Sequence, residues 1–137
     1  MDHQLTAGRA RGISLVELMV VLVIVSILAA VAYPSYAESV KNSRRASAKA
    51  KMTEVAGRLE QFRSEGSGAA TYTTTLTDLQ YPAGVLYSEN GGHTLTIGAG
   101  AQGIVTSFII SAVPVKPDAA CGTLTLNNLG IFGPANC

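Results

Sequence analysis

The chain has 137 residues, 47% of them hydrophobic, with ten basic residues against nine acidic ones. That length holds one small domain rather than two, and the near-balance of charge argues against a general electrostatic nucleic-acid binder, because phosphate contacts supply most non-specific affinity. Two cysteines without a CxxC pair and only two histidines, His3 and His93, make a zinc site improbable.

Residues 1–12 (MDHQLTAGRARG) are polar and carry Arg9 and Arg11. Residues 13–32 (ISLVELMVVLVIVSILAAVA) follow as an apolar run in which only Ser14, Glu17 and Ser26 are polar. About twenty apolar residues is what an α-helix needs to cross a bilayer core. No Lys or Arg appears after the run until Lys41, so the charge asymmetry keeps the N-terminus in the cytoplasm and sends the C-terminal portion across. A carboxylate near a helix centre costs roughly 2.5–3.5 kcal/mol on insertion scales. Glu17 therefore calls for a partner. The competing reading is a secretory signal cut after Ala32, where Ala30-Val31-Ala32 offers a small-residue site. Against it, the apolar stretch exceeds the usual signal core of roughly 7–15 residues, and a disposable segment needs no Glu.

Pro34 removes one helical hydrogen bond and crowds the carbonyl of Ala30. A kink is expected there rather than a stop, because residues 37–65 are rich in Ala, Lys, Arg, Glu, Met and Leu, all good helix formers. Met52, Val55, Leu59 and Phe62 draw one apolar stripe at helical spacing, the face that docks on a sheet. Lys41, Arg44, Arg45, Lys49 and Lys51 form a basic segment on the same helix, read as a solvated face, with contact to anionic lipid or to acidic neighbours as the sharper alternative. Gly66-Ser67-Gly68 punctuates the end.

Residues 66–92 form a connector in which Tyr72, Leu76, Leu79 and Tyr81 are the expected anchors against the helix. Alternation then predicts antiparallel strands with one buried face: Thr94-Leu95-Thr96-Ile97; residues 103–113, with Ile104, Phe108 and Ile110 on one side; and residues 123–126. Pro114 and Pro117 close the second, and Asn127-Asn128-Leu129-Gly130 supplies a turn after the third. Cys121 and Cys137 both fall in the exported part, where an oxidising compartment favours a disulfide over free thiols. Such a bridge closes a loop of about 15 residues, worth about 3 kcal/mol in the chain-entropy model.

Catalytic chemistry is not legible. No Ser-His-Asp arrangement, carboxylate dyad, P-loop or dinucleotide fingerprint occurs, and Gly98, Gly100 and Gly103 lack the strand–helix setting that a phosphate-cradling loop needs. His93, beside Gly91-Gly92 at the start of a strand, reads as a surface residue. Asp78, Glu89 and Asp118 are too scattered to suggest a calcium site. No catalytic residue, metal or cofactor is expected.

The basic leader, Gly12, Ile13, Glu17 and the run LMVVLVIVSILAAVAYPSY together resemble the class III signal of type IV prepilins. The ending CGTLTLNNLGIFGPANC, the segment SENGGHTLTI and the Tyr33-Pro34-Ser35-Tyr36 motif are similar to type IVa pilins, most of all the PilE-type minor pilins. In that family a membrane prepilin peptidase cuts after the glycine and methylates the new N-terminus. The resemblance therefore implies cleavage between Gly12 and Ile13, N-methylation of Ile13, and pairing of the Glu17 carboxylate with the N-terminal amine of a neighbouring subunit. Family members mostly begin the mature chain with Phe, where this one has Ile13.

The implied fold class is α+β, a type IV pilin with a long kinked N-terminal helix on a small antiparallel sheet and a disulfide-bounded C-terminal loop. Its parts are a leader (1–12), a transmembrane and filament-core helix (13–36), an amphipathic helix (37–65), an αβ loop (66–92) and the sheet with the terminal region (93–137). The implied function is structural, a minor pilin supporting pilus assembly, twitching motility and adhesion. A type II secretion pseudopilin and a DNA-uptake pilin are the alternatives. Expected partners are other major and minor pilins, the prepilin peptidase, the inner-membrane assembly platform and, before assembly, membrane lipid. The expected location is the inner membrane, N-terminus cytoplasmic, and then the extracellular pilus. Nucleic acid is not expected as a partner, since residues 121–137 contain no Lys or Arg.

Overall fold

The computed structural model describes residues 12–66 and 70–137 and divides into two compact units, residues 1–38 and 39–137. The leader up to Arg11, and Ser67 and Gly68 of the expected helix-ending triplet, lie outside the described residues. One helix, α1 (Leu15–Glu65), contributes to both units.

In the first unit Ser14, a residue type favoured just before a helix, offers its carbonyl to the Leu18 amide at 3.1 Å. The turns that follow are apolar on every side. From Ile13 to Val31 the large apolar side chains are all more than half exposed, from 52% at Ile24 to 75% at Ile13 and Leu15. A helix that is hydrophobic all round belongs in lipid or against other helices, and this one is long and apolar enough to cross a membrane. The Ser26 hydroxyl donates to the Val23 carbonyl at 2.7 Å, which satisfies the one polar group in the middle of the run. The helix continues through Pro34.

The second unit sets the remaining turns of α1 against a sheet. Ala48, Met52, Val55 and Leu59 are fully buried, and Phe62 packs against them half-buried. The opposing layer is a five-stranded meander in the order β1-β2-β3-β4-β5, every neighbouring pair antiparallel. Its strands are β1 (Leu86–Tyr87), β2 (His93–Ala99), β3 (Phe108–Pro114), β4 (Leu124–Asn127) and β5 (Phe132–Gly133). Period-2 alternation sends Leu95, then Phe108, Ile110 and Ala112, then Leu124 and Leu126, into one core with the helix stripe. Each of the large side chains among them contributes roughly 1.5–3 kcal/mol by leaving water.

The connector is tied down by its tyrosines. Tyr72 meets Phe108 edge-on, with ring centroids 4.9 Å apart, and its hydroxyl bridges Glu60 and Arg63. Tyr81 donates to Glu54 at 2.8 Å, while the Arg58 guanidinium lies 4.2 Å from its ring centroid. Burial and then the hydrogen bond to Glu54 push the Tyr81 phenol up to about 12. A short 3-10 turn, Leu76–Leu79, carries Leu79 into the core.

Two sequence expectations need correction. Residues 103–107 are not strand: the chain turns there, with Gly103 at φ +81° and the Ser107 amide bonded to the Gly103 carbonyl at 2.9 Å. Ile104 still packs on the core, but from that turn, where its carbonyl accepts the Tyr72 amide. The basic segment is not simply a solvated face either. Arg44, Arg45, Lys49 and Lys51 are all half-buried, because long basic stems cover apolar surface, and the charged ends of Arg45, Lys49 and Lys51 reach Asp118, the Cys137 carbonyl and Glu54.

Candidate functional site

The N-terminal residues come first. Gly12, Ile13 and Ser14 precede α1 in irregular, exposed backbone, the accessible geometry a protease needs. Glu17 sits in the first turn, where the positive end of the helix dipole favours a carboxylate. Among the described residues no cation is paired with it.

In the folded unit, the Arg45 Nε and Nη2 groups donate to the two oxygens of Asp118 at 2.7 and 2.8 Å. The pair joins α1 to the segment after β3. Its partners lie 73 residues apart, so no local pattern announces it. The guanidinium holds the Asp118 carboxyl down at about 2, helped by the backbone amides of Ala120 and Cys121 and opposed by burial. A depressed carboxyl stabilises the fold above its unfolded value and loses that contribution as pH falls through its folded value. Asp118→Asn is thus expected to cost about 1–3 kcal/mol near neutral pH. The variant's stability should also change less than the wild type's between pH 4 and 2, as followed by denaturant titration of the full chain in neutral detergent.

Immediately beyond this pair the chain reaches Cys121, which is bonded to Cys137. These are the two expected site residues that folding brings together, with Cα atoms 5.8 Å apart. Lys49 donates to the carbonyl oxygen of Cys137 and lies 5.7 Å from the Phe132 ring centroid, which ties the terminal loop to α1.

His93 overturns its reading as a surface residue: it is 2% exposed. Its backbone is satisfied, with the amide on the Ser88 hydroxyl at 3.1 Å and the carbonyl accepting the Ser88 amide at 3.0 Å. Among the described residues neither ring nitrogen has a hydrogen-bond partner. Burial lowers the readiness of the ring to take a proton; Asp118 opposes that, and Arg44 and Arg45 add to it. His93 is one of the residues around a cavity of about 180 Å³, together with Lys41, Arg44, Lys116 and Asp118. The signal for its burial was present in the alternation, since His93 shares strand parity with Leu95.

The cations of this unit are not spread evenly. Arg45, Lys51, Arg58 and Arg63 spend their charge on Asp118, Glu54, the Leu79 carbonyl and Tyr72. Lys49 reaches the Cys137 carbonyl, and Arg44 and Lys116, with Lys41 at the rim, line the His93 cavity. A near-zero net charge conceals that unevenness.

Comparison with known proteins agrees with the prepilin resemblance. A family model described as "Type IV minor pilin ComP, DNA uptake sequence receptor" matches residues 34–125. A second, described as "Prokaryotic N-terminal methylation motif", matches residues 8–33. Among solved structures, a type IV pilin from Shewanella oneidensis is similar at 26% identity and a TM-score of 0.49, over 69% of this chain and 92% of that one. The first description runs against the expectation that nucleic acid is no partner. That expectation was drawn from net charge and from residues 121–137, whereas the cations around the cavity come from α1 and the segment after β3.

Proposed function

The chain belongs to the type IV minor pilin family whose model is described as ComP, DNA uptake sequence receptor, and from that premise we propose that it is the DNA-binding minor pilin of a competence pilus. The carrying observation is the match over residues 34–125, which takes in the second half of α1 and most of the sheet. Arg44, Lys41 and Lys116 around one cavity support it, because DNA affinity begins with cations placed against phosphates. Motility and adhesion, the functions that the resemblance alone suggested first, give way to DNA uptake.

In this reading the prepilin waits in the inner membrane with its N-terminus in the cytoplasm. The methylation motif over residues 8–33 supports processing by a prepilin peptidase, which cuts between Gly12 and Ile13 and methylates Ile13. Extraction into the filament moves the apolar turns of α1 from lipid onto other pilins, and Pro34 lets the helix bend as it packs. Glu17 then meets the amine of an adjacent Ile13, which removes the cost of an isolated charge in an apolar setting.

A deletion strain complemented with this chain tests the function. Loss of the chain is expected to lower uptake of labelled DNA at least 100-fold and leave twitching motility intact. Normal uptake with lost motility would refute the proposal.

A further inference from the structure

We propose that the cavity between α1, the first residues of β2 and the segment after β3 binds a single phosphate group, gripped by Arg44 and Lys116 beside the buried His93, which takes up a proton as the anion arrives. The inference deepens the DNA-uptake reading and rests on it only for the source of the phosphate, a group of the DNA backbone.

Size sets the class of ligand. About 180 Å³ is below the roughly 300–1,000 Å³ of sites that enclose drug-sized ligands. It equals the share of about six liquid waters, room for one compact anion and a few waters. The lining sets the charge. Among the described residues Asp118 is the one carboxylate at the cavity, and both its oxygens already accept from Arg45. Lys41, Arg44 and Lys116 face the same space.

The backbone contributes by close approach. A Cβ on Gly92 would lie 2.9 Å from Cγ of Arg44 and 3.1 Å from its Cβ. Only a glycine lets the chain rest this closely on the Arg44 stem. The Gly92 carbonyl also accepts the Val115 amide at 3.0 Å, which fixes the segment bearing Lys116 against the start of β2.

His93 is the second, independent observation. A buried polar group without a partner is costly, and this ring has two such atoms. A neutral imidazole presents one donor and one acceptor; the protonated ring presents two donors. The unesterified oxygens of a DNA backbone phosphate are acceptors only, so the protonated ring matches them. The charged groups near the ring are Lys41, Arg44 and Arg45 from α1, and Lys116 and Asp118 from the segment after β3. Burial above all, with Arg44 and Arg45, disfavours protonation of the free ring against the pull of Asp118. An incoming anion adds an opposite charge and tips the ring to its charged form. Binding therefore takes up a proton, and affinity weakens as pH rises, by up to tenfold per pH unit where the free ring is neutral and the bound ring charged.

The test is a titration of the full chain, labelled at histidine and held in uncharged detergent, with inorganic phosphate against sodium chloride of equal ionic strength. His93 and the leader residue His3 are the only histidines, so the ring is read individually by NMR. Phosphate, and not chloride, is expected to move the His93 ring signals and raise the pH at which they titrate by about half a unit or more. Arg44→Gln and Lys116→Gln should each weaken phosphate binding about fivefold or more, and Gly92→Ala should do so by displacing Arg44. His93 signals that titrate identically with and without phosphate, or Gln variants that bind like wild type, would overturn the site. A parallel arm with short duplex DNA separates the two readings. DNA binding with an unmoved His93 rejects the pocket and leaves the proposed function standing. A His93 response to phosphate without DNA binding supports the pocket and counts against that function.

Discussion

Gly12→Val is expected to abolish processing, so that the protein isolated from cells keeps its leader. Gly12 lies in exposed backbone before α1, and a Cβ at that position meets no atom within 4 Å. The larger side chain therefore costs the chain's own fold nothing, and its whole effect falls on recognition by the peptidase. Intact-mass measurement reads the result: the wild type should begin at Ile13 with one added methyl, and the variant should appear at the mass of the uncut chain. An unchanged processed mass in the variant would disprove the cut at this bond. A mass beginning at Tyr33 would instead favour the secretory-signal reading.

Glu17→Ala is expected to separate two steps that the wild type couples. Removing a carboxylate from an apolar helix makes membrane insertion easier by up to about 2.5–3.5 kcal/mol. The same change removes the partner of the neighbouring amine and leaves that amine's positive charge uncompensated, which is strongly destabilising in a buried setting. The variant should thus be cleaved and held in the membrane like wild type, yet be depleted at least tenfold from sheared filaments. Quantitative immunoblots of membrane and filament fractions measure both quantities. Glu17→Gln, which keeps the shape and loses the charge, should behave like Ala. Normal incorporation of either variant would remove the assembly role from Glu17.

Much of the fold is legible because burial imposes a period. Met52, Val55 and Leu59 lie one helical turn apart and are all fully buried. The alternation at residues 94–97 sits within β2, and Tyr72, Leu79 and Tyr81 anchor the connector as their isolation among polar residues suggests. What escapes sequence reading does so for identifiable reasons. The strands β1 and β5 have two residues each, too few to display alternation. Residues 103–107 carry β-branched side chains that read as strand, but Gly103 turns the chain, and Ile104 reaches the core without a ladder.

The candidate site is harder still. Its residues come from α1, from the start of β2 and from the segment after β3, and the pairing of Arg45 with Asp118 depends wholly on tertiary structure. His93 was misread because Gly91-Gly92 resembles an exposed turn, although extending the alternation two residues back from Leu95 places the ring inside. Net charge misled most. It sums over every cation wherever it lies, and only their arrangement bears on a polyanion.

The most direct measurement is the affinity of the full chain, in uncharged detergent, for duplex DNA as salt is raised. Each phosphate neutralised contributes about −0.9 to the slope of log affinity against log salt. The wild type is expected to bind with a clearly negative slope, and Lys116→Gln to bind more weakly with a slope shallower by about one. No binding at 50 mM salt, or an affinity indifferent to both salt and the substitution, would contradict the reading of this chain as a DNA-binding minor pilin.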